Sequence, residues 1–117
     1  MDQAVRYQET LRRLALIDEG FVEAGIGLGL GYTSALDPKT AALLRLGASA
    51  AIGSPGVCLD WTVGRALAAG ATEDEIADVL LAIAPVAGLG RVTAAAPDVA
   101  IALGYDVAAA LEELDGP

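Results

Sequence analysis

The sequence contains no histidine, a single cysteine and a single tryptophan. Without histidine it lacks the commonest general base at neutral pH and the commonest metal ligand. One cysteine excludes both an internal disulfide and a cysteine-based zinc site. No metal and no cofactor is therefore expected. Basic residues are also scarce: 7 Lys and Arg stand against 16 Asp and Glu, a net charge of −9. That balance does not suit nucleic acid, whose binding rests on basic patches that displace counterions, nor an anionic membrane. Long hydrophobic runs are missing as well. The most apolar stretch, Val79 to Gly90, is too short to span a bilayer and contains Pro85. The polar, charged start MDQAVRYQET does not read as a signal peptide, so the cytoplasm is the expected location.

What is present is aliphatic and small. The apolar share is 55%, with aromatics at only 4% and alanine dominant. Small side chains let helices approach closely but bury little area each, and hydrophobic stabilisation scales with area. At 117 residues the chain is one domain near the size where self-association helps. A homo-oligomer is expected.

The patterning is helical throughout. Asp2 to about Val22 carries Leu11, Leu14, Ile17 and Phe21 along one side. Gly25 to Gly31 then alternates glycine with aliphatics. It fits no GxGxxG register and lacks the Lys-Ser/Thr of a P-loop, so residues 1–35 read as an N-terminal helix and a Gly-rich connector. Residues 36–117 read as a helical domain. Asp37-Pro38 starts a helix to about Ala51, with Leu43, Leu44, Leu46 and Ile52 apolar. Ser54-Pro55 reads as the cap and first residue of the next helix, which stops at Gly70. Leu59, Val63, Ala66 and Gly70 form its buried stripe. Thr72 to Glu75 is a capping box, followed by Ile76, Val79, Leu80 and Ile83 at amphipathic spacing. Joined by so tight a link, these two helices are expected to pack as a central hairpin. Pro85 and Gly88 are expected to loosen the chain, Pro97-Asp98 to restart a helix that Gly104 ends, and Asp106 to cap a last one. The class is all-α, with about six helices.

The helix after Ser54 carries the chemistry. Cys58, Trp61, Thr62 and Arg65 share a flank beside the buried stripe. Cys58 falls in the first turn, where a lone thiol serves either as packing or as a one-cysteine peroxidase or redox sensor. Trp61 and Arg65, at i and i+4, suit a cation–π pair that lines a pocket or stabilises the helix. Arg91 follows an apolar run and reads as partly buried beside an acid, Asp98 or Asp60, or a ligand carboxylate, the structural ion pair being favoured.

The stretch LDPKTAALLRLGASAAIG, a cysteine-bearing helix, and RALAAGATEDEIADVLLAIAPVAGLGRV together resemble the carboxymuconolactone decarboxylase family, which includes the alkylhydroperoxidase D-like proteins. The resemblance covers about Leu36 to Tyr105, and its most specific part is A-x-x-x-G-A-T-x-x-E-I at Ala66 to Ile76. It implies an all-helical fold and a homotrimer, homohexamer or related ring. Redox members carry C-x-x-C-x-x-x-H just before that signature, with an upstream glutamate. Here Cys58 matches the second cysteine, Pro55 stands at the first and Thr62 at the histidine. The glutamate position falls near Ala42 or Leu43. The decarboxylase members' histidine site has no counterpart either. The expectation is a family member without two-cysteine peroxidase turnover, binding a small apolar acid, lactone or hydroperoxide beside Cys58, Trp61, Thr62, Arg65 and Arg91. A one-cysteine peroxiredoxin-type enzyme using Cys58 and a catalytically silent oligomer are the alternatives.

Overall fold

Short side chains at helix starts account for much of the layout of this computed structural model, which describes residues 3–16 and 31–114. Contacts divide the chain into two units, residues 1–34 and 35–117. In the first, helix α1 (Gln3–Ala15) carries a local charge cluster. Arg12 Nη2 lies 2.7 Å and Arg13 Nε 3.0 Å from Glu9 Oε1. The hydrogen bond from Arg12, reinforced by Arg13, lowers the Glu9 carboxyl to about 2. Residues 17–22 of the helix expected to reach Val22, and all of the Gly25–Gly31 connector but its last residue, lie outside the described residues.

The second unit holds α2 (Pro38–Ala51), α3 (Gly56–Ala68), α4 (Glu73–Ala87), α5 (Leu89–Ala102) and α6 (Val107–Leu114). No strand occurs among the described residues. At the start of α2 the Asp37 carboxylate accepts the Thr40 N–H at 2.7 Å, with Pro38 where its missing donor is harmless. Before α4 the Thr72 hydroxyl accepts the Glu75 N–H at 3.1 Å, while the Glu75 carboxylate accepts the Thr72 N–H at 2.8 Å. Asp106 accepts the Ala109 N–H at 3.1 Å ahead of α6.

The start of α3 differs from the sequence pattern. Pro55, not Ser54, occupies the cap position, and no side chain caps the helix. Ser54 is already committed to the preceding turn: Gly53 adopts φ +76°, and the Ser54 N–H donates to the Ser49 carbonyl at 3.0 Å. The helix closes instead on the Pro55 carbonyl, which accepts from Cys58 at 2.9 Å and Leu59 at 3.2 Å. Its other end follows expectation. Gly70 takes φ +96°, and the Ala71 N–H reaches back to the Ala66 carbonyl at 3.0 Å.

Two prolines interrupt less than expected. Pro85 sits in the last turn of α4, where losing a donor breaks only a terminal bond, and the helix continues to Ala87 before Gly88 reverses at φ +90°. Pro97 lies inside α5 without ending it. Ala95 and Val99 on either side of it are both buried, so packing holds the helix across the missing bond.

Helices α2 and α5 each pack on both α3 and α4 and touch each other. The tight link joins α3 to α4, but their broad contacts are with α2 and α5. At the centre Leu46, Leu59, Val63 and Ile76 are the largest fully buried side chains, with Ala42, Ala50, Ala66, Ala71 and Ala95 filling between them. Among the described residues no polar or charged side chain is buried. Gly47 lets α2 and α4 close together, since a Cβ there would stand 3.2 Å from Ile83 Cγ2 and 3.3 Å from Val79 Cγ1. Helix α6 leaves α5 at 100°. No single described helix is long and apolar enough to cross a membrane.

Candidate functional site

The burial of Leu59, Val63 and Ala66 fixes the rotation of α3 and turns the opposite side of the helix outward. Gly70, which spacing assigns to the same buried stripe, is exposed at the end of the helix. Cys58 is exposed and free, in the first turn. Trp61 is 65% exposed, and the Arg65 guanidinium lies 5.6 Å from its ring centroid, the cation–π pair that the i, i+4 spacing suggests. Thr62 is half-buried. Its hydroxyl donates to the Cys58 and Leu59 carbonyls, both at 3.0 Å. The position that the resemblance assigns to a proton-moving histidine is thus occupied by a group whose one proton serves the helix backbone.

Arg91 departs from expectation in two respects. It is exposed rather than partly buried, and it makes no ion pair with Asp98 or Asp60. The cause is the geometry at the entry to α3. The Arg91 guanidinium lies against Gly53, where a Cβ would overlap it. Asp98, two turns further along α5, meets Gly56 instead: its Oδ1 is 3.0 Å from where a Cβ on Gly56 would stand. Asp98 thereby meets the first residue of α3, the positive end of that helix, while Arg91 keeps its donors free at the preceding loop. The structure therefore brings Cys58, Trp61, Thr62 and Arg65 onto one helix flank and sets Arg91 beside the loop that leads into it.

The upstream glutamate that the resemblance expects has no counterpart at its own position. Ala42 and Leu43, the glutamate-equivalent positions, are aliphatic and so offer no carboxylate; the first is buried and the second half-buried. Among the described residues no three His, Cys, Asp or Glu side chains cluster as metal ligands.

A cavity of about 530 Å³ lies elsewhere, between α2 and α4. Leu43, Leu44, Gly47, Val79, Ile83 and Val86 are among its walls, Thr40 is its one polar side chain, and no charged residue lines it. None of Cys58, Trp61, Thr62, Arg65 and Arg91 reaches it. Its sequence signal is a second pair of apolar stripes beside the core stripes: Leu44, Ala48 and Ala51 on α2, and Val79, Ile83 and Val86 on α4. Periodicity names the stripes but not the space between two helices.

Comparison with known proteins adds one finding. The model of the carboxymuconolactone decarboxylase family matches residues 22–100. No curated protein and no solved structure matches the chain.

Proposed function

We infer a role for this chain from one premise: it belongs to the carboxymuconolactone decarboxylase family. The role is that of a homo-oligomeric protein that binds a small apolar acid, lactone or hydroperoxide on the α3 flank, without two-cysteine peroxidase turnover. The observation that carries this reading is the exposed Trp61–Arg65 pair one turn from an exposed thiol. The core does not use these groups, and an indole under a guanidinium is a ready seat for a flat apolar acid. Arg91 supplies a second cation at the loop before α3, with no carboxylate of its own to satisfy. In a protein of net charge −9, exposed arginines such as Arg65 and Arg91 favour an anionic ligand. Self-association is supported by the side chains left outside: Ile52, Val57, Leu81, Val86 and Leu89 are all more than 70% exposed. A neighbouring copy over the α3 flank would also exclude water and strengthen the charge contacts.

Trp61 is the only tryptophan, so its emission reports this face alone. Titration with aromatic acids, lactones and hydroperoxides is expected to shift or quench that emission for at least one class. Arg91→Ala is expected to lose the response to acids at unchanged oligomeric mass. If no compound moves the emission, the site reading fails and a silent oligomer remains.

The exposure of Cys58 favours one second reading, a one-cysteine peroxidase. There the sulfur attacks a hydroperoxide, the O–O bond breaks, and an alcohol leaves with the proton as Cys58 becomes a sulfenic acid. An outside thiol condenses with it, releasing water, and a second outside thiol frees Cys58 as the two reductants leave as a disulfide. Turnover abolished by Cys58→Ser decides for this reading.

A further inference from the structure

We infer that the α2–α4 groove is the seat of helix α6 from a second copy of this chain. The inference rests on the oligomeric reading above and gives it a specific contact. The groove is concave and aliphatic, so two grooves face to face would leave a void. A convex apolar ridge fills it.

Helix α6 is such a ridge. Val107, Ala110, Leu111 and Leu114 follow the i, i+3, i+4, i+7 spacing of a single face; Val107 and Ala110 are half-buried in their own chain, Leu111 and Leu114 exposed. Leu111 is 55% and Leu114 81% exposed, while Glu112 and Glu113 lie off that face. A helix of 8 residues is too short to persist without a packing surface. Among the described elements α6 rests mainly on α5, at 100° to it, and contributes nothing to the groove.

The dimensions agree. The α4 wall from Val79 to Ala87 and the whole of α6 are each roughly 12 Å long at the helical rise per residue. Gly47, Ala48, Ala51 and Ala82 line the groove, and small residues allow a third helix to approach closely. With no charge in the groove, Glu112 and Glu113 remain at its solvent edge and no carboxylate is desolvated. Both groove walls lie inside the family match over residues 22–100, whereas α6 lies beyond it. The contact thus joins the common scaffold to a segment outside the match.

The test uses the full chain. Sedimentation velocity over a dilution series gives the self-association constant of the wild type, of Leu111→Asp/Leu114→Asp, and of Ala48→Glu in the groove. Each variant is expected to associate at least tenfold more weakly, with its Trp61 ligand response retained. A second measurement does not depend on weakened association. In a Cys58→Ser background, a tagged copy with Ala48→Cys is mixed with an untagged copy with Leu111→Cys and oxidised. A cross-linked tagged–untagged pair is expected in the mixture. An oligomer unaffected by both sets of variants, or no mixed cross-link, overturns the inference while leaving the oligomeric reading intact. A monomeric wild type overturns both.

Discussion

The Arg65 guanidinium lies over the Trp61 ring at 5.6 Å, one turn further along the same helix, and neither side chain is part of the core. At an exposed site such a pair contributes about 0.5–1 kcal/mol, too little to explain its presence as a fold requirement. Arg65→Met is therefore expected to leave the thermal midpoint nearly unchanged. It should nevertheless shift Trp61 emission and raise its quenching by iodide. Equal quenching in both proteins would mean that the pair does not persist in solution.

The core gives the opposite expectation. Ile76 is fully buried among Leu46, Leu59 and Val63, so Ile76→Ala should destabilise the protein by about 2–5 kcal/mol, read from urea unfolding. Its effect on the Trp61 ligand response, measured where the variant is still folded, should be absent.

Acid should weaken the scaffold through its helix starts. The Thr72 N–H, with help from Lys39, holds Glu75 below 4.5, and the Thr40 N–H holds Asp37 below 3.8. Both folded values are depressed, so the stabilisation is complete above the ordinary carboxylate range and is lost as pH falls through the folded values. Lys39 is raised above 10.5 by its hydrogen bond to Glu75 at 2.9 Å. Its contribution is complete below 10.5 and lost as pH rises through the raised value. Thr72→Ala should cost about 0.5–2 kcal/mol at neutral pH, whereas Glu75→Gln, which removes the titrating carboxylate, should flatten the acid limb of the stability profile. An unchanged acid limb would place that pH dependence elsewhere.

Gly53 combines φ +76° with the Arg91 guanidinium overhead. Gly53→Ala should destabilise by more than about 1 kcal/mol. Because Arg91 is long and exposed it can swing aside, so the backbone conformation is the larger cost. Adding Arg91→Ala should recover only a minor part. Full recovery would assign the cost to the contact instead.

Coupled assays with dithiol reductants should show no efficient peroxidase turnover, since no second thiol exists to resolve a Cys58 sulfenate. Iodoacetamide should nevertheless label the exposed Cys58 in the native protein. Rapid turnover lost in Cys58→Ser would restore a redox function.

How much of this could be read from the sequence depended on distance along the chain. Asp37, Thr72 and Asp106 announce their helices because the oxygen and the N–H that it accepts are three residues apart. Ser54 carries the same signal, but its backbone serves the turn closing α2, a competition that the pair Ser54-Pro55 does not display. Pro85 and Pro97 look like breaks until their positions are known, one in a last turn and the other between two buried residues. The α3 flank was legible from spacing. The surroundings of Arg91 were not, because Gly53 and Gly56 reach α5 only through the tertiary fold. The groove was illegible for the same reason, as it depends on how α2 and α4 pack around Gly47.

A core that, among the described residues, encloses no polar side chain asks only for volume and shape from the side chains that build it. The side chains at positions 55, 58 and 62 can then be exchanged without leaving an orphaned donor or charge inside the molecule. Shape and reaction are separable in such a scaffold. Such a scaffold can keep every helix in place while the side chains at those positions change, and the same tolerance makes this chain a suitable host for new ones.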